Sequence, residues 1–138
     1  MRKEENFMFT NKQEVFNKVR ELAEDFKALG PWDVRDDDSL HDCINSKCVY
    51  VDIWALTQLI FTESLFAQLC DEVEDDKSSF IVQKTSRRFF DEALLPQING
   101  LIDFSKRCQF HDYRAINLQS DTKKLMTEIK DFYAEMYQ

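Results

Sequence analysis

The chain has little of what interrupts regular structure: two glycines and two prolines among 138 residues. So few turn-forming residues disfavour a β-sandwich or barrel and favour helices joined by short links. Only two glycines are present, Gly30 and Gly100, and they lie too far apart for a G-x-G-x-x-G loop or a P-loop, which excludes these nucleotide-binding sites. No apolar leader follows the charged N-terminus, and four cysteines without a secretory signal are typical of reduced thiols. We therefore expect a soluble, cytoplasmic protein.

Long apolar runs are also scarce, and the one from Val49 to Cys70 is interrupted by Asp52 and Glu63. A carboxylate in mid-bilayer costs about 2.5 kcal/mol or more, so we expect a core helix rather than a membrane span. The helix is predicted over about residues 50–74, because its apolar side chains recur at three- and four-residue steps. The stripe is Ile53, Leu56, Leu59, Ile60, Phe66, Leu69, Cys70 and Val73, flanked by Trp54, Phe61 and Leu65. Burial over more than half of the helix circumference is expected.

The same periodicity elsewhere predicts that residues 1–138 form one all-α domain, a bundle of five or six helices around this central helix. The first helix is expected to begin at a capping box of Thr10 and Gln13 and to end at Gly30-Pro31. Its apolar positions are Val15, Phe16, Val19, Leu22, Ala23, Phe26 and Leu29.

A short second helix is predicted over residues 38–46, followed by a link at residues 47–49. Its inward positions would be Leu40, Cys43 and Ile44. Further along the chain, Pro96 must either kink the helix that contains it or begin a new helix. The final helix is expected to start at Ser120 and to bury Leu125, Met126, Ile129, Phe132, Tyr133 and Met136. A mixed fold with short strands at residues 49–51 and 80–82 is the alternative.

The net charge of −8 is concentrated in residues 31–79, which hold twelve acidic and three basic side chains. Such a segment repels nucleic acid and attracts basic surfaces, including the nucleic-acid grooves of other proteins. A solvated acidic surface that only aids solubility is the alternative.

Cysteine and histidine allow two kinds of site. Cys43, Cys48, Cys108 and His111 can supply four zinc ligands, but Cys43 falls on the inward side of a predicted helix, which favours core thiols. No metal or cofactor is therefore predicted. Cys108, beside two basic residues and close to His111, is the better placed of these thiols for nucleophilic chemistry.

The run W-D-V-R-D-D-D-S-L-H-D-C-I at residues 32–44, followed by Y-V-D-I-W at residues 50–54, resembles the acidic phage antirestriction proteins of the Ocr type. The resemblance implies a helical, dimeric DNA mimic whose carboxylates occupy the DNA-binding groove of restriction enzymes. It assigns this part to the matching residues Asp33, Asp36, Asp38 and Asp42. Asp37, which lies between them, is expected to share it. On charge alone the acidic surface extends to Asp71, Glu72, Glu74, Asp75 and Asp76.

A second motif lies at residues 106–113, K-R-C-Q-F-H-D-Y, before the last amphipathic helix. It is similar to the R-x4-6-H motif of HEPN-type helical ribonucleases, although Arg107 and His111 are spaced R-x3-H. The resemblance implies that a basic residue binds the scissile phosphate and that His111 acts as acid and base.

From these patterns we expect a non-enzymatic inhibitor of a nucleic-acid-binding defence protein, which binds a basic groove through one outward patch of carboxylates. It would contact neither nucleic acid nor membrane directly, and it could form a homodimer. The alternatives are a ribonuclease or toxin–antitoxin component that uses His111, and a helical adaptor recognisable by a large exposed apolar patch.

Overall fold

The computed structural model describes residues 9–29, 37–72, 76–107 and 109–138. Within these ranges the chain is helical and contains no strand, which confirms the all-α prediction. The helices are α1 (Lys12–Lys27), α2 (Asp37–Glu72), α3 (Asp76–Phe89), α4 (Leu95–Arg107) and α5 (Tyr113–Met136), with a π-helical segment at Phe90–Leu94. Residues 49–51 and 80–82 are helical, so the mixed-fold alternative is wrong.

Helix α1 begins one residue later than the predicted capping box. The side chain of Asn11 accepts a hydrogen bond from Glu14 N at 2.9 Å, and Glu14 Oε1 accepts one from Thr10 N at 2.8 Å. Asn11 and Glu14, not Thr10 and Gln13, therefore satisfy the first free backbone donors. The predicted apolar stripe is confirmed, with Phe16 only partly buried. Gly30-Pro31 lies outside the described residues.

Helix α2 is a single element of 36 residues, about 54 Å long. The predicted short helix and its link at residues 47–49 are therefore wrong: no glycine or proline occurs there, and Val49 is buried in the core. Ile44, predicted to face inward, is exposed. The side chains of Leu40 and Cys43 lie outside the described set.

Helices α3 and α4 form one continuous rod through the π-helical segment. Pro96 has no N–H, and Leu95 N, just before it, donates to Phe90 O five residues back. A π-helical turn accommodates the missing hydrogen bond without interrupting the helix. The five α-helices of the described residues therefore form four rods, because α3 and α4 are continuous.

Helix α5 begins at Tyr113, seven residues before the predicted Ser120, because Asp112 caps it. The Asp112 side chain accepts a hydrogen bond from Arg114 N at 2.8 Å. Leu125, Met126, Ile129 and Tyr133 are buried as predicted, but Phe132 is only partly buried and Met136 is exposed.

The four rods enclose one core. Helix α2 packs against α1 and α3, its neighbours along the chain, and also against α4; α5 packs against α4 and α1. The fully buried side chains at the centre include Ile53, Leu56, Ile60, Leu94, Ile98, Leu101, Met126, Ile129 and Tyr133. Among the described residues, no helix has an apolar stretch that could span a bilayer.

Candidate functional site

The described acidic positions do not gather into one patch. Helix α2 is unbroken from Asp37 to Glu72, so Asp38 and Asp71 are about 50 Å apart along its axis. For Asp37, Asp38, Asp71 and Asp76 the structure describes the backbone but not the side chains, and Glu72 is exposed. Asp33, Asp36, Glu74 and Asp75 lie outside the described residues. The expectation of a single acidic patch is thus wrong, because the central helix separates its two halves.

Asp42 is buried, with 1% of its surface exposed, so it cannot belong to an outward surface. Its carboxylate accepts hydrogen bonds from the backbone N–H groups of His111 (2.9 Å) and Asp112 (2.7 Å). These two residues immediately precede α5, where the helix dipole favours a negative charge. Asp42 therefore anchors the start of α5 to α2, and its predicted part in partner binding is wrong.

The same carboxylate also contacts the imidazole of His111, with Nδ1 3.2 Å from Oδ1. The His111 side chain is 43% exposed, whereas that of Asp42 is 2% exposed. Two residues that the sequence assigned to different functions are thus in contact. A buried carboxylate on Nδ1 holds an imidazole in one orientation, which is an arrangement used in acid–base catalysis.

The basic residues nearest His111 in the sequence are Lys106, Arg107 and Arg114. Arg114 Nη2 lies 2.8 Å from Asp112 Oδ2, and this hydrogen-bonded pair lowers the pKa of Asp112 and raises that of Arg114. Lys106 and Arg107 are exposed at the end of α4. The contact that the structure establishes at this point is that of Asp42 with His111.

Helix α2 also exposes apolar side chains on the side away from the core. Five large apolar residues there are between 45% and 62% exposed: Ile44, Val51, Phe61, Leu65 and Leu69. Phe61 and Leu65 were expected to extend the buried surface and Leu69 to lie within it, so the prediction of burial over more than half of the helix is wrong. The described residues leave this side of α2 uncovered.

The spacing of this row is regular. We define the outer row as the positions at alternating steps of four and three residues: Ile44, Cys48, Val51, Ala55, Gln58, Thr62, Leu65 and Leu69. No member carries a charge. Alternating steps of four and three place side chains along one seam, the pattern by which helices pair in coiled coils. The outer row therefore has the geometry of a helix-packing surface.

The core side of α2 follows the same steps. Its buried positions form an inner row, whose two ends are carboxylates: Asp42, Ser46, Val49, Ile53, Leu56, Ile60 and Glu63. A helix with a seam on each of two opposite sides is apolar nearly all round, which in sequence is typical of complete burial. Testing a period of 3.5 residues separately on each side would have revealed both rows.

Glu63, at the end of the inner row, joins three other elements. Both of its carboxylate oxygens lie 2.8 Å from Nζ of Lys12, and the Tyr137 hydroxyl donates to Oε2 and contacts Ser86 Oγ. Glu63 is fully buried. The hydroxyl of Tyr133 is buried nearby without a hydrogen-bond partner among the described residues, and burial together with the charge of Glu63 raises its pKa. This cluster ties α1, α2, α3 and the end of α5 together.

The cysteines considered above as zinc ligands or nucleophiles do not contribute to the contacts of Asp42 or Glu63 that the structure describes. Cys48 is exposed on the outer row. Cys108 and the side chain of Cys43 lie outside the described set. Among the side chains that the structure does describe, no group of three or more histidines, cysteines or carboxylates is arranged to hold a metal ion.

Within the part of the chain that the structure describes, the candidates for function are therefore the outer row of α2 and the Asp42–His111 contact. The antirestriction and ribonuclease resemblances stay predictions from short motifs. Comparison with protein-family models, curated proteins and solved structures finds no match for this chain.

Proposed function

We propose that this protein acts by binding another protein through the outer row of α2. The observation that carries the proposal is the row itself: large apolar side chains, about half exposed, at coiled-coil spacing on a helix held by the core. Single exposed apolar residues are ordinary, but a contiguous apolar surface marks an interaction site. The rest of the bundle serves to hold α2 straight.

The net charge makes a basic partner favourable. The first and last turns of α2 carry Asp37 and Asp38 and then Asp71 and Glu72, while Lys47 is the one lysine or arginine in the helix. Opposite charge at the rim of an interface steers association and selects among partners. The antirestriction resemblance at residues 32–54 proposes a sharper identity for the partner, a defence protein with a basic nucleic-acid-binding groove.

Substitution within the row tests this function directly. Val51→Lys combined with Leu65→Lys places two charges on the apolar seam, where they would be desolvated by any bound partner. We expect the double variant to lose at least about tenfold of its affinity for proteins captured from a bacterial lysate, a change of about 1.4 kcal/mol or more. Quantitative capture, with circular dichroism to check helicity, measures the effect.

The control is Ile116→Lys, which introduces the same charge at a residue of α5 that is 44% exposed and lies outside the row. It should leave capture unchanged. Equal recovery of the same proteins by the parent chain and the Val51→Lys/Leu65→Lys variant would contradict the proposal.

A second candidate function follows from the contact between Asp42 and His111. A histidine oriented by a buried carboxylate and still 43% exposed can transfer protons in the cleavage of an RNA phosphodiester. The purified chain would then cleave RNA, and His111→Ala would abolish cleavage without changing helicity. An absence of cleavage by the parent chain would remove this candidate.

A further inference from the structure

We infer that the outer row of α2 receives an amphipathic helix of a partner protein whose two ends are basic, an inference that rests on the function proposed above. Two candidates fit an apolar seam of this kind: a second copy of this chain and a helix from another protein. The charges at the two ends of α2 decide between them.

The seam itself fits a helix. From Ile44 to Leu69 the outer row spans about 38 Å without a charged member. Near its middle, Gln58 and Thr62 interrupt the apolar positions, and a polar layer within a coiled-coil seam fixes the register of the partner. Phe61 is 52% exposed beside this layer and adds a large apolar contact. A partner helix would therefore pack in one defined register.

Pairing with a second copy is opposed by charge at both ends. Acidic residues occupy both the first and the last turn of α2, and the sequence beyond each end has a further acidic excess. Before the helix this is Asp33 and Asp36 against Arg35, and after it Glu74, Asp75 and Asp76 against Lys77. Two copies paired in parallel would place like ends together, and two copies paired antiparallel would place acidic N-terminal turns against acidic C-terminal turns. Either arrangement sets acidic turns beside acidic turns, and like charges repel one another.

A partner helix with basic ends replaces this repulsion with attraction to the acidic turns of α2. The acidic turns of α2 are about 50 Å apart, so the complementary helix has about 34 residues, with lysines or arginines in its first and last turns and an uncharged seam between them. Charges that flank a coiled-coil seam are known to select the partner while the seam supplies affinity. The apolar row and the acidic ends thus specify one kind of occupant together.

The test uses two synthetic peptides of about 35 residues, alike in a leucine seam and different only at their ends. One carries lysines in its first and last turns and the other carries glutamates. Titration into the full chain, followed by calorimetry, should show that the lysine-ended peptide binds at least about tenfold more tightly and that added salt reduces the difference. Leu65→Lys should weaken binding of the lysine-ended peptide, and Ile116→Lys should not.

Other outcomes separate the inference from the proposed function. Equal affinity for the two peptides, lost in Leu65→Lys, overturns the selection by charge and leaves the row as a protein-binding surface. A dimer in sedimentation that Leu65→Lys dissociates identifies a second copy as the occupant, which also overturns the inference. If neither peptide binds, the chain is monomeric and lysate capture is insensitive to Val51→Lys/Leu65→Lys, then both the inference and the proposed function are wrong.

Discussion

Replacing Lys12 with methionine is expected to lower the free energy of unfolding by about 3 kcal/mol. Lys12 is the first residue of α1, where the helix dipole disfavours a positive charge, so it is not there to stabilise its own helix. Its Nζ instead lies 2.8 Å from both oxygens of Glu63, which is fully buried. Methionine keeps most of the apolar stem but leaves the carboxylate without its counter-charge. Urea denaturation followed by circular dichroism measures the change.

Two further variants make this result specific to the buried pair. Lys12→Met combined with Glu63→Gln removes both charges and preserves shape, so it should recover most of the lost stability. Lys18→Met removes a lysine from the same helix whose ion-pair partner, Glu21, is mostly exposed, and it should change the stability by less than about 0.5 kcal/mol. Equal stability of Lys12→Met and Lys18→Met would show that the Glu63 cluster does not depend on its lysine.

Replacing Asp42 with alanine is expected to cost about 2 to 3 kcal/mol, because it removes the acceptor of two backbone N–H groups and of the imidazole. Asp42→Asn keeps one carbonyl oxygen and should cost less. The most direct measurement is amide hydrogen exchange at His111 and Asp112, which should accelerate in Asp42→Ala relative to the rest of α5. Chemical denaturation then gives the total change in stability.

The backbone and ring contributions of this contact can be separated. His111→Ala removes the imidazole and keeps the backbone donor, so it should cost less than about 1 kcal/mol if Asp42 acts chiefly as an anchor for α5. Asp103→Ala, an exposed aspartate on α4, is the matched control and should be neutral. Unchanged exchange at His111 and Asp112 in Asp42→Ala would contradict the anchoring role.

The helical class followed from composition and periodicity, but the boundaries did not. Apolar steps of three and four residues correctly placed Val15, Val19, Leu22, Ile53, Ile60 and Met126 in the core. The boundaries near residues 47 and 120 were wrong because a serine or lysine does not end a helix when tertiary contacts continue across it. Burial of Val49 in the core continues α2 past residue 47, and capping by Asp112 starts α5 before residue 120.

The candidate sites were harder to predict from the sequence than the helices were. Asp42 lies in a run of acidic residues, and nothing in its local sequence separates it from the others. What buries it is a loop about 70 positions later, whose N–H groups need an acceptor. Likewise the outer row and the inner row use similar residue types at identical steps, and only the position of α1, α3 and α4 decides which row is covered.

The π-helical segment at Phe90–Leu94 is a place where the chain can lose one residue without loss of core packing. The core-facing residues of this rod, Ser86, Phe90, Leu94 and Ile98, follow one another at steps of four. In an ordinary α-helix three such steps would drift by about 120° round the axis, and the wider turn removes that drift. Losing one residue from the turn would leave steps of four, three and four, which a plain α-helix also accommodates. A deletion within α2 has no such outlet and would rotate every later side chain by about 100°, which would move the later part of the inner row away from the covered side of that helix.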